Sequence, residues 1–314
     1  MKAIRHTPTA MVLAVVVVCV LATVGVVMWT EHPAHPVFYG VSASDAVTIS
    51  RTTTIVGRQP SVENIFVKLD SPHFDLSTMR TIDAAGRTPM LTLEPWSWRA
   101  KQGTTDQPDY TLATIYTGQH DQDLKRIART MAQFAKPVLL RFAHEMNGWW
   151  YPWAESENNN AAGEYIKAWR HTHDLFRAAG ARNARWVWAP NALTPGHPQP
   201  SLAELYPGDA YVDVLGMTAF GHGPSVEDTI GATYRALAQL SDKPIIIAET
   251  GADGPHKTTW IAGFGPFVRA HSRIYGFVWG NATRASGATG DYRFDDTERN
   301  IVTFRKTLSV LLVR

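Results

Sequence analysis

Apolar, β-branched runs recur eight times along this chain, at residues 37–43, 65–70, 89–95, 137–145, 184–191, 212–221, 244–251 and 274–281. Most stretches between them carry helical spacing instead. In 121–134 the apolar positions are Leu124, Ile127, Ala128 and Met131, and 162–179 and 230–240 repeat the pattern. A further helix is predicted over 296–312, and the pattern is weakest in the short gap before Ile65. Strands that alternate with helices form a parallel sheet, and eight such units point to a closed barrel. The predicted fold class is therefore α/β, a (β/α)8 TIM barrel preceded by one N-terminal transmembrane helix. An open doubly wound sheet would need a glycine-rich phosphate turn after the first run, and 37–43 holds no GxGxxG.

The 314 residues accommodate one barrel, which typically takes about 250. With 30 basic against 28 acidic residues and no Lys/Arg stripe, no nucleic-acid partner is expected. The single cysteine, Cys19, rules out an intrachain disulfide. It lies in the run 10–29, which is 20 residues without a charge and long enough to span a bilayer. Lys2 and Arg5 precede that run and Glu31 follows, so residues 1–9 are expected in the cytoplasm and the rest outside. The end of the run, Val27-Met28-Trp29, lacks the small residues of a signal-peptidase site, which favours an uncleaved anchor over a removed signal peptide. Residues 30–36 read as a stiff linker and 37–314 as the barrel domain.

Two runs end in a carboxylate: the fourth in Glu145 and the seventh in Glu249. A carboxylate after an unbroken Ile-Ile-Ile-Ala is costly to bury without a partner, and the C-terminal ends of barrel strands are where catalytic groups sit. Strict alternation predicts that Arg141, Ala143 and Glu145 share one face, and that Ile245, Ile247 and Glu249 share one face. Two carboxylates facing each other across a barrel mouth suit glycoside hydrolysis, one as a proton donor and one as a nucleophile or base. The competing reading is a structural Glu–Arg pair, for instance with Arg141. Beyond Glu145, Trp149, Trp150, Tyr151 and Trp153 put four aromatics into five residues, a composition suited to stacking on sugar rings.

The segment Arg141-Phe-Ala-His-Glu-Met-Asn-Gly-Trp-Trp-Tyr-Pro-Trp153 resembles the acid/base segment of glycoside hydrolase family 26, the β-mannanase-like retaining barrels. Ile246-Ile-Ala-Glu-Thr-Gly251 resembles that family's nucleophile segment, Trp186-Val-Trp-Ala-Pro-Asn191 its fifth strand end, and Trp279 the aromatic floor on strand eight. The resemblance implies that Glu145 is the acid/base and Glu249 the nucleophile. It implies sugar contacts from His144, Asn147, Trp149, Trp150, Tyr151, Trp153, Trp188 and Trp279. One departure stands out: Phe220 occupies the sixth strand end, where the family usually carries a tyrosine near the nucleophile, and His222 is the nearest polar substitute.

Other residues have less specific readings. Glu94 and Trp96 follow the third run and are read as a sugar ligand and a platform, or equally as an ion pair and loop core; Trp98 is read as a platform or loop core. His144-Glu145 opens like a zinc-protease helix but lacks the second histidine. His171 and His173 are expected on the surface, and Asn281-Ala-Thr283 matches a glycosylation sequon. No metal or organic cofactor is implied. The expected function is a retaining endo-β-glycosidase acting on a mannan- or glucan-like polysaccharide outside the cytoplasm, held at the membrane by its N-terminal helix. A catalytically idle sugar-binding barrel and a transglycosylase remain as alternatives.

Overall fold

The computed structural model describes residues 36–42, 46–101, 103–193 and 199–312. The expected cytoplasmic stretch and anchor, and all but the last residue of the linker, lie outside the described residues. Among the described residues no helix is long and apolar enough to cross a membrane. The strands are β1 (Phe38–Ser42), β2 (Val62–Lys68), β3 (Thr88–Glu94), β4 (Val138–Phe142), β5 (Ala184–Trp188), β6 (Val214–Gly221), β7 (Ile245–Ala252) and β8 (Ile274–Gly280). They close in sequence order into an eight-stranded barrel, every neighbour parallel, with β1 paired to both β2 and β8.

Alternation along each strand sorts side chains into two cores. Val62, Met90, Val187, Ala189, Ile246, Ala248 and Val278 fill the barrel interior, joined by Phe38, Leu139 and Val214. The Phe38 ring lies where a side chain at residue 276 would project: a Cβ on Gly276 would stand 2.2 Å from it, so glycine is required there. The opposite strand faces, including Leu91, Leu93, Leu140, Phe142, Trp188, Met217, Ile247 and Trp279, pack outward against the helices. The helix Asp121–Phe134 buries Leu124, Ile127, Ala128 and Met131, as its spacing predicts, and ends at Ala135 with φ 59°. The closing helix Glu298–Leu311 starts at Thr297, whose side chain accepts from the Asn300 amide, and buries Phe304 and Leu308.

Three expectations need correction. β2 begins at Val62, ahead of the predicted Ile65, because Asn64 turns into the barrel and Glu63 turns outward to Arg87 at 2.7 Å; both polar residues are satisfied and so break the apolar run without breaking the strand. β4 ends at Phe142 rather than Glu145. His173 is buried against Trp186 and Tyr211 rather than exposed, while His171 pairs with Asp121 at 2.7 Å to tie two helices together. The sequon residue Asn281 is also buried, its side-chain oxygen accepting from the Phe294 amide.

Candidate active site

Past Phe142 the chain abandons extended geometry. Ala143 has φ 43° and Glu145 has φ 56°, left-handed values that cost a side-chain-bearing residue free energy and persist only where neighbours over-determine them. The pins are visible. The Ala143 amide donates to Leu93 O at 3.0 Å and the Glu145 amide to Ala189 O at 2.8 Å, so the turn is stitched to β3 on one side and to the chain just past β5 on the other. Trp153 Nε1 donates to His144 O at 2.7 Å, and the Tyr165 hydroxyl to Ala143 O at 3.1 Å. Strand alternation from Arg141 therefore does not carry Glu145 to the mouth; this turn does.

Glu249 departs from alternation too. Ile246 and Ala248 face the barrel interior, whereas Ile245 and Ile247 face the helices. The expected shared face of Ile245, Ile247 and Glu249 is thus overturned. A bulge in β7 removes the conflict: Met217 pairs with Ile247, but the next residue, Thr218, pairs with Glu249, which leaves Ala248 as the extra residue. Glu249 is thereby rephased to the side of Thr218, where Arg141 binds both.

That arginine anchors a polar layer across the barrel. Asn64 donates to Ser42 Oγ at 3.2 Å, and Thr92 Oγ1 to Asn64 Oδ1 at 2.7 Å. Arg141 then donates to Thr92 Oγ1 at 2.9 Å, to Thr218 Oγ1 at 3.2 Å and to Glu249 Oε2 at 2.8 Å. Strands β1, β2, β3, β4, β6 and β7 are linked through side chains alone. The structural Glu–Arg pair weighed against a catalytic role is present, and it lies inside the site. Asn64, Thr92 and Thr218 were not singled out from sequence. A signal was available for Thr92 and Thr218, each a polar residue between apolar neighbours, and was weaker for Asn64, which follows Glu63.

Glu145 has a different surrounding. One of its carboxylate oxygens, one of Glu249 and a ring nitrogen of His144 all lie within 4.8 Å of one another. Glu145 Oε2 accepts from Trp150 Nε1 at 2.8 Å. Burial is the largest influence on the Glu145 carboxyl and pushes its pKa up. The negative charge of Glu249 adds to that, while Arg141, the Trp150 N–H and the Asn191 side chain oppose it. His144 is fully enclosed, and burial beside Arg141 holds its pKa well below the usual histidine range, so the ring is neutral. The three groups are close enough to grip a cation, but the Arg141 guanidinium already bound to Glu249 opposes a second positive charge there. Glu94, at the end of β3, is also buried. Desolvation raises its pKa to about 7, against the Trp96 N–H, Lys68 and Arg141.

The aromatics divide sharply. Trp149 is 45% exposed and packs edge-on against Trp150. Tyr151 is partly open, between His144 at 4.9 Å and a stacked Trp153 at 4.2 Å. Trp153, Trp188 and Trp279 are fully buried, and Trp96 nearly so. These four offer no face to a sugar: for Trp153, Trp188 and Trp279 the expected sugar contact is corrected to packing, and of the two readings of Trp96 the loop core is the one that fits. Trp188 and Trp279 sit at outward-facing strand positions, with Trp279 among Trp260, Phe264 and Phe304. Asn147 is also spoken for, because its amide exchanges two hydrogen bonds with the Asn191 backbone, at 3.0 and 2.8 Å. Phe220 is half-buried and packs on Tyr292 at 4.1 Å; the Tyr292 hydroxyl approaches His222 Nε2 at 3.5 Å. Trp98 is exposed on the β3 loop, edge-on to His73.

The sequence model described as glycosyl hydrolase family 26 matches residues 35–261. The chain belongs to that family. It is 31% identical to endoglucanase H of Acetivibrio thermocellus over 233 residues, 70% of this chain and 24% of the relative. It is 30% identical to a mannan endo-1,4-beta-mannosidase of Bifidobacterium adolescentis over 45% of this chain and 16% of that one. The chain thus matches only a minor part of these relatives' length. Among solved structures, a GH26 beta-mannanase from Bacteroides ovatus shares the fold with a TM-score of 0.68 at 19% identity, covering 89% of this chain and 90% of the other.

Proposed function

We propose that this family 26 barrel is a retaining endo-β-glycosidase, with Glu145 as acid/base and Glu249 as nucleophile. The observation that carries the reading is the close approach of two carboxylates in unlike surroundings, one buried with a raised pKa and one ion-paired to Arg141. A nearest approach within 4.8 Å suits the short separation of retaining pairs, about 5–5.5 Å between carboxyl groups, rather than the roughly 6.5–9.5 Å that admits a water between them. In the first step Glu249 attacks the anomeric carbon while Glu145 gives its proton to the departing glycosidic oxygen. The negative charge of Glu249 is consumed in the ester, which removes one influence holding the Glu145 proton in place. Glu145, now a carboxylate, takes a proton from water, whose oxygen attacks the same carbon and frees Glu249.

The substrate class we infer is a β-linked mannan- or glucan-like polysaccharide. Its support is the pairing of an endoglucanase and a mannosidase among the relatives. We further propose that residues 10–29 anchor the barrel outside the cytoplasm, on the strength of the uncharged run and the basic residues before it. Sequencing the mature N-terminus tests this, and a start after residue 20 refutes it. Turnover of β-mannan, β-glucan and xylan by residues 37–314 tests the activity. Phe220 favours one second reading, a sugar-binding barrel without turnover: the structure gives Glu249 no tyrosine hydroxyl from β6. Substrate binding that survives in wild type and Glu249→Ala alike, with no turnover in either, would decide for it.

A further inference from the structure

Sequence reading passed over Phe66, and the structure gives it a defined place. It lies on β2 two residues beyond Asn64 and four beyond Val62, both of which face the barrel interior, so its ring points into the mouth. A half-exposed apolar ring needs no explanation on an outer surface. This one is 45% exposed at the opening that holds both carboxylates. The Arg141 guanidinium, which grips Glu249, stands 5.5 Å from its ring centroid. The His144 ring meets it edge-on at 6.0 Å. With Arg141 over the ring and His144 against it, Phe66 still keeps nearly half of its surface open.

The strand ends between β2 and β7 carry small residues. Going from β2 through β1 and β8 to β7, the positions on this side of the mouth are Ser42, which accepts from Asn64, and Gly280, its register partner. The half-buried Phe220 ring packs at Gly280, its nearest atom 3.4 Å from where a side chain there would project. On the other side of the carboxylates, Glu145 is bonded to Trp150, and Trp149 packs on Trp150. A leaving group protonated by Glu145 belongs on that side. A sugar attacked by Glu249 would then extend the other way, towards β2. We propose that Phe66 is the stacking platform of a glycone subsite, receiving the apolar face of a β-linked pyranose on the non-reducing side of the scissile bond. This rests on the catalytic roles proposed above.

Two classes of probe separate the glycone side from the leaving side. A 4-nitrophenyl β-trioside of mannose or glucose carries sugars only on the glycone side; β-mannan and β-glucan fill both. Phe66→Leu keeps apolar volume without a ring, and Phe66→Trp keeps a ring. Phe66→Leu should lower kcat/KM about 5- to 150-fold on trioside and polymer alike, by analogy with the loss of a base–aromatic stack. Phe66→Trp should restore most of that loss, which a packing role would not predict. Unchanged trioside hydrolysis in Phe66→Leu overturns the assignment, as does equal loss in the Trp variant with its melting temperature intact. If wild type turns over no probe, the catalytic reading fails separately. Titration of mannotriose and cellotriose into wild type and Phe66→Leu then decides the platform, with equal affinities overturning it.

Discussion

The ends of β4 and β7 deliver the same side chain to the same place by different means and into different surroundings. At β4 the strand stops early, and a turn with two left-handed residues presents Glu145 to a buried aromatic setting, where Trp150 Nε1 donates to it at 2.8 Å. At β7 the strand continues, and a bulge turns Glu249 onto the fully buried guanidinium of Arg141. Desolvation dominates the first carboxyl; an ion pair meets the second. Two glutamates within 4.8 Å of each other thus stand in unlike surroundings, one desolvated and one ion-paired. The difference resides in their neighbours, not in the glutamates.

The contrast is broken most severely by deleting the β7 carboxylate. Glu249→Ala should reduce turnover by about 10⁴-fold or more, the scale for one member of a catalytic unit. Glu145→Ala should retain hydrolysis of aryl glycosides with good leaving groups and be rescued by azide. Steady-state kinetics on both substrate types, with azide added, read the asymmetry; equal loss in both variants would remove it.

Removing the cation is next. Arg141→Met leaves Glu249 without its partner in a buried polar layer, and should destabilise the fold by about 3–5 kcal/mol in urea unfolding. Arg141 also lowers the Glu145 pKa, so in whatever activity survives the alkaline limb of the pH–rate profile should move up. A limb that stays put or moves down would mean that Arg141 does not act on Glu145.

Glu94 asks whether burial alone raises a carboxyl at this mouth. Its pKa is raised from 4.5 to about 7, so between those values the folded state keeps a proton that the unfolded state releases. Stability should therefore fall as pH rises across that window, by roughly 3 kcal/mol in all. Glu94→Gln, which cannot ionise, should flatten that slope in denaturation measured from pH 4 to 8; an unchanged slope would sink the claim.

The smallest change is Trp150→Phe. It deletes one N–H donor to Glu145, an interaction worth about 1.5–3 kcal/mol when the partner is charged. Because that donor favours the ionised form, its loss should raise the Glu145 pKa and shift the alkaline limb upward. A downward shift would reverse the argument.

The barrel was legible because burial on both faces leaves a run of apolar residues that composition alone exposes. β1, β5, β6 and β8 fall within their predicted runs for that reason. Both carboxylates were legible as polar ends of apolar strands. What alternation could not reveal is the phase after an irregularity. The Ala248 bulge rephases Glu249, and the turn at Ala143–Glu145 replaces strand geometry. Each moves a side chain that strict two-residue periodicity would send elsewhere. Trp188 and Trp279 were assigned to the sugar by resemblance, and only the closed barrel shows them facing the helices.

By itself, then, the sequence determined the class of fold and the residue types able to do the chemistry, since these follow from local periodicity and from the cost of burying charge. The tertiary structure decided which aromatics are open, through burial against helices distant in the chain. It also decided which carboxylate stays desolvated and which meets Arg141, a contact spanning 108 residues of sequence. Pairings at that separation are set only when the barrel closes, because no local pattern encodes which strand faces meet across its interior.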